Sequence, residues 1–105
     1  MEPGDTARIA RTRLLVLGAG ELGFLFTRRA LEAGFRRIVV ADRFTAGPAE
    51  ARIYGEDAVG IVNRAKALVD ALGQFSDASV TYLEDSPASL DGWNYDIAAG
   101  CMLAP

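Results

Sequence analysis

Leu14-Leu15-Val16-Leu17-Gly18-Ala19-Gly20-Glu21-Leu22-Gly23 runs four apolar residues straight into G-x-G-x-x-G. An apolar run too short for a helix reads as a strand buried on both faces, and glycines at this spacing suit a sharp turn from strand into helix. In that arrangement Gly18 permits the tight turn, Gly20 lets a pyrophosphate approach the backbone, and Gly23 lets the helix pack close to the strand. The N-terminus of the helix offers unpaired N–H groups and partial positive charge to an anion. The stretch points to a nucleotide and names no reaction.

Working outward, a helix is expected from Glu21, with Leu22, Leu25, Phe26, Ala30 and Ala33 on its apolar face and Gly34 at its C-terminal cap. Ile38-Val39-Val40-Ala41 is a second short strand, followed at once by Asp42. The two strands and their helix make a βαβ unit of about thirty residues. Such connections are right-handed, so both strands end at one edge of the sheet and Asp42 sits beside the glycine turn. It follows Gly20 by about twenty residues, the offset at which an acidic side chain accepts hydrogen bonds from an adenosine ribose. The plainer alternative is that Asp42 caps the next turn.

Beyond Arg43, Thr45-Ala46-Gly47-Pro48 is a turn, and Pro48 opens a short helix to about Tyr54. Ala58 to Val62 suits either a strand or the entry to the next helix, whose Val62, Ala65, Leu68, Val69, Leu72 and Phe75 repeat at helical spacing. Ser79 to Leu83 is rich in β-formers. Glu84 to Asn94, with Pro87 and Gly92, is a loop, and Tyr95 to Gly100 is a last strand that brings Gly100 and Cys101 to the edge of Gly18 and Asp42. Trp93, Tyr82 and Tyr95 are expected to pack in the core or at an edge. Residues 1–12 form a lead-in that opens on the turn signal Pro3-Gly4-Asp5, and residues 13–105 form the Rossmann-like dinucleotide-binding domain.

Composition narrows the chemistry. The 105 residues suffice for one core but stand near the lower range for a complete dinucleotide-binding fold, so half a fold or a fragment is expected. With no histidine and Cys101 as the single cysteine, neither an internal disulfide, a His/Cys zinc site nor a histidine-based triad is available. No catalytic residue and no metal site is identifiable. Cys101 reads as a small strand-end residue, since no histidine is present to lower its pKa. A net charge of -3 argues against nucleic acid as a partner. No apolar stretch approaches the roughly eighteen residues of a membrane span, and no signal-peptide pattern precedes Arg13, so the expected compartment is the cytoplasm.

Two families share these motifs. Leu15 to Arg43, LVLGAGELGFLFTRRALEAGFRRIVVADR, resembles the cofactor domain of the medium-chain dehydrogenases/reductases, and the likeness extends over Ala51 to Val59. That resemblance implies NAD, with NADP possible through Arg43, and a missing substrate domain. The same turn and Asp42 are similar to adenylyltransferases of the ubiquitin-activating type, which activate a carrier C-terminus with ATP. Tyr54 to Gly60, the helix carrying Lys66-Ala67 and the strand at Val80 look like their succeeding elements. This second resemblance implies that Arg52 and Lys66 contact ATP phosphates, although on the residues alone both read as solvated helix charges. It breaks where Phe44 replaces a second aspartate and where Ala99-Gly100-Cys101 replaces an aspartate-bearing segment. A Glu-Leu after the second glycine also resembles the N-terminal domain of some ATP-grasp ligases, as far as Pro48.

The expected fold class is α/β, a three-layer Rossmann-like sandwich with a small parallel sheet of order about 3-2-1-4, helices on both faces, and at this length a partial fold among the outcomes. The expected function is binding of a dinucleotide, NAD before NADP, as the cofactor half of an oxidoreductase-like protein. The alternative is an ATP-binding domain of the adenylyltransferase type. The candidate cofactor residues are Gly18, Ala19, Gly20, Glu21, Leu22, Gly23, Asp42, Arg43 and Gly100, with the Glu21 carboxylate pointing outward, away from a pyrophosphate. A second domain or subunit, or a second copy of the chain, would complete the site.

Overall fold

The computed structural model describes residues 3–73, 77–84 and 95–101. Four strands, β1 (Arg13–Leu17), β2 (Arg37–Ala41), β3 (Ser79–Leu83) and β4 (Ile97–Gly100), form one parallel sheet in the order β3-β2-β1-β4. Class, sheet and strand order are those expected from the apolar runs. Around the sheet lie helices α1 (Pro3–Arg11), α2 (Glu21–Ala33), α3 (Ala51–Tyr54) and α4 (Arg64–Ala71), with single 3-10 turns at Pro48–Glu50 and Glu56–Ala58. The segment Ala58 to Val62, open between strand and helix entry, is the entry. The expected lead-in is α1, which turns Ile9 toward Gly34 at the end of α2. Phe75, Pro87, Gly92 and Trp93 lie outside the described residues. Among the described residues no helix is long and apolar enough to cross a membrane.

Alternation along β1 and β2 splits the core. Leu14, Val16, Ile38 and Val40 face α2 and α4, where Ala30, Leu31, Ala65, Leu68 and Leu72 complete the main cluster. Leu15 and Ala41 form a smaller cluster on the other face with Leu17, Val39 and Leu83. Right-handed crossovers from β1 to β2 and from β2 to β3 step in one direction, which puts α2 and α4 on the same face. Each fully buried leucine or isoleucine there contributes about 1.5–3 kcal/mol.

Helix α2 corrects one expectation. Its buried residues are Gly23, Thr27, Ala30 and Leu31. Leu22, Leu25 and Phe26 are 50%, 39% and 36% exposed. The reason is Gly23, where a Cβ would collide with the carbonyl of Gly18. That contact turns Gly23 onto the strand, and residues four, seven and eight positions later follow it inward.

Candidate nucleotide site

At the C-terminal edge of the sheet, Gly18 takes a φ of 108°, a left-handed conformation that side chains rarely adopt, and its N–H donates to Ala41 O at 2.9 Å. Gly20 caps α2 in extended conformation without any side-chain cap, so the first N–H groups of the helix have no side-chain acceptor. The turn between them is held from two sides. Ala19 N–H donates to Asp42 Oδ2 at 2.8 Å, and the Tyr54 hydroxyl donates to Ala19 O at 2.7 Å. Burial pushes the Tyr54 phenol well above its ordinary pKa; Arg64 opposes that shift, and Glu50 and Asp42 add to it.

Asp42 itself is buried, and Arg64 forks onto it. Nη2 lies 2.7 Å and Nε 3.0 Å from Oδ2, while Phe44 N–H donates to Oδ1 at 2.8 Å. Backbone pairing between the segments after β2 and before α4 delivers Arg64 there: Ala46 N–H donates to Val62 O and Arg64 N–H to Phe44 O. Asn63 locks the junction. Its Nδ2 donates to Asp42 O, and its Oδ1 caps α4 by accepting from Ala65 and Lys66 N–H. Arg64 also stacks over the Phe44 ring, 5.4 Å from its centroid, and approaches Glu50 Oε1 at 3.7 Å.

Beside this cluster opens a cavity of about 770 Å³. Gly20 and Glu21 form its glycine-turn side, Leu22, Leu25, Phe44 and Cys101 an apolar wall, and Glu50 and Arg64 its polar floor. Of the residues expected at a nucleotide, Gly20, Glu21 and Leu22 line the cavity, Gly18, Ala19, Gly23 and Asp42 hold the turn behind it, and Arg43 and Gly100 lie outside the lining. Arg43 also lies over the Phe44 ring, 5.0 Å from its centroid. The two cations implied by the adenylyltransferase resemblance are paired elsewhere: Arg52 with Glu21 at 2.9 Å on the rim, Lys66 with Asp70 at 3.0 Å on the exposed flank of α4. Arg64, Glu50 and Tyr54 were not singled out from sequence. Burial raises the Cys101 thiol pKa, which keeps it protonated at neutral pH.

No family model and no curated protein matches the chain. Solved structures share its fold. The E. coli tRNA N6-threonylcarbamoyladenosine dehydratase TcdA in complex with ATP superposes with a TM-score of 0.81 at 17% identity, over 97% of this chain and 45% of that one. E. coli MccB with ATP gives 0.74 at 19% identity, over 89% and 30%. E. coli MccB with MccA-N7isoASN gives 0.76 at 18% identity, over 89% and 29%. The chain thus spans less than half the length of these proteins, and identities this low establish the fold alone. The ligand in two of these structures is ATP, which overturns NAD or NADP as the expected cofactor and with it the oxidoreductase assignment. The neighbours side with the ubiquitin-activating-type resemblance, not with the medium-chain dehydrogenases/reductases. The physical reason for the error is that glycine turn and acidic strand end serve either ligand, and the resemblance that implied NAD is built around them, with the short stretch Ala51 to Val59 added.

Proposed function

We propose that this chain is the phosphate-binding part of an ATP site of the ubiquitin-activating adenylyltransferase type. The observation that carries it is the uncapped N-terminus of α2 opening, with Arg64, onto the cavity of about 770 Å³. Backbone N–H groups there suit an anion, and a guanidinium suits phosphate oxygens. Gly18 to Gly23 shape the phosphate turn, Asp42 and Tyr54 hold it, and Leu22, Leu25 and Phe44 offer apolar surface to the nucleoside. Residues 13–105 act as an incomplete domain that a second domain, subunit or copy completes, in the cytoplasm where ATP is supplied. Adenylyl transfer is not assigned to this chain, because Phe44 and Ala99-Gly100-Cys101 place no carboxylate where the resemblance expects two.

Calorimetric titration with ATP tests the reading. Saturable binding with a Kd below about 1 mM is expected, and no saturable heat at that concentration would sink it. In the presence of magnesium and a carrier peptide, the chain alone is expected to catalyse no ATP–pyrophosphate exchange; measurable exchange would show that it supplies the chemistry as well.

A further inference from the structure

Asp42 stands where a ribose would be read, yet all but one of its acceptor positions are occupied. A carboxylate has about four lone-pair positions on two oxygens. Oδ2 takes three donors, Ala19 N–H at 2.8 Å and Arg64 Nε and Nη2 at 3.0 and 2.7 Å, and Oδ1 takes Phe44 N–H at 2.8 Å. One position remains, on Oδ1, and the side chain is 1% exposed. A sugar diol brings two donors and needs two acceptors at the surface.

Nor is Arg64 free to step aside. Its backbone is tied to Phe44 O at 2.9 Å, its guanidinium lies over the Phe44 ring, and Glu50 flanks it at 3.7 Å. Withdrawing it would leave the buried Asp42 carboxylate without its counter-charge, a loss that neutral hydroxyl donors do not restore. Next to Arg64 stand the Phe44 ring and Glu50, whose Oε1 already accepts from Gly47 N–H at 2.9 Å and faces the guanidinium. The apolar lining of the cavity, Leu22, Leu25 and Phe44, packs on a sugar or base without regard to its hydroxyls.

We propose that Arg64 shields Asp42 from the sugar, so that the site takes ribo- and deoxyribonucleoside triphosphates alike and selects through phosphates and base. Asp42 is then a positioning residue for the glycine turn and for Arg64. This rests on the nucleotide reading above, and the experiment separates the two. The full chain is titrated calorimetrically with ATP, 2′-deoxy-ATP and 3′-deoxy-ATP. The three dissociation constants agree within about threefold. A larger preference for ATP overturns the shielding and leaves ATP binding standing; saturable binding of none of the three overturns both. Arg64→Lys keeps a cation for the phosphates but gives up the planar fork on Asp42, and is expected to raise the preference for ATP over either deoxynucleotide by about fivefold or more. A ratio unchanged from wild type in a folded Arg64→Lys counts against the shielding, and the wild-type comparison decides alone should the variant not fold.

Discussion

Two arginine–aspartate pairs bracket strand β1, and their bonding is nearly the same. At its start, Arg13 reaches Asp96 with Nη2 to Oδ1 at 3.0 Å, Nε to Oδ2 at 3.3 Å and its backbone N–H to Oδ2 at 2.7 Å, tying β1 to the segment entering β4. Past its end, Arg64 forks onto Asp42 at 2.7 and 3.0 Å. Burial separates them: the side chains of the first pair are 44% and 43% exposed, those of the second 21% and 1%. Water can take over either half of the first pair, and such pairs add little to stability. In the second, Arg64 would keep Glu50 at 3.7 Å, but the buried Asp42 has no other counter-charge within reach among the described residues. The end of β1 that faces the cavity is therefore locked and the opposite end is only fastened.

The strongest way to break this contrast is Asp42→Ala. It leaves Arg64 largely buried beside Glu50 with both side-chain hydrogen bonds to Asp42 gone, and it strips the buried Ala19 N–H of its acceptor. The expected cost is about 3–5 kcal/mol in urea unfolding, with ATP binding lost. A cost below about 1 kcal/mol would put the pair in the class of exposed bridges and erase the distinction.

How much of this was legible follows the same line between local and distant. The βαβ unit, its right-handed order and the edge where Gly18 meets Asp42 were readable because apolar runs, glycine spacing and crossover handedness are properties of short segments. The facing of α2 was readable too, but from Gly23, whose close approach to Gly18 outweighs the Leu22, Leu25, Phe26 stripe. Arg64 was not. It reaches Asp42 only because residues 44–46 pair with 62–64, and no periodicity announces that pairing. Asn63 before an apolar helix was the available signal for the start of α4, which would have marked Arg64 as a first-turn residue near the strand ends. The choice between NAD and ATP failed for a related reason: the glycine turn is common to both, and the rest of the cavity is assembled from segments far apart in sequence, α2, Phe44, Glu50, Arg64 and Cys101.

A neutral contact on the same glycine turn sharpens the contrast by removing charge from it. Tyr54→Phe deletes one hydroxyl and leaves the buried Ala19 carbonyl without its 2.7 Å donor, while the Phe24 edge contact with the ring persists. The loss should be about 1–2 kcal/mol, between the two pairs. If Tyr54→Phe destabilises as much as Asp42→Ala does, satisfaction of the Ala19 peptide, and not the buried charge of Arg64, is what locks this edge.

The smallest effect is expected at Asp96→Asn, and its pH dependence carries the information. Hydrogen bonds from the Arg13 side chain, then its backbone N–H, hold the Asp96 carboxyl below its ordinary range. A carboxylate with a depressed folded-state pKa stabilises fully above its unfolded value of about 3.9, and that contribution disappears as pH falls through the folded value. Wild type should therefore exceed Asp96→Asn slightly in urea midpoint at pH 7, and the gap should close on acidification below about pH 4 and narrow in about 1 M salt at neutral pH. A gap that widens in acid has the wrong sign for an ionised Asp96 paired to Arg13. One that ignores salt would mean the bond acts as a shielded pair, which would move the start of β1 into the same class as its end.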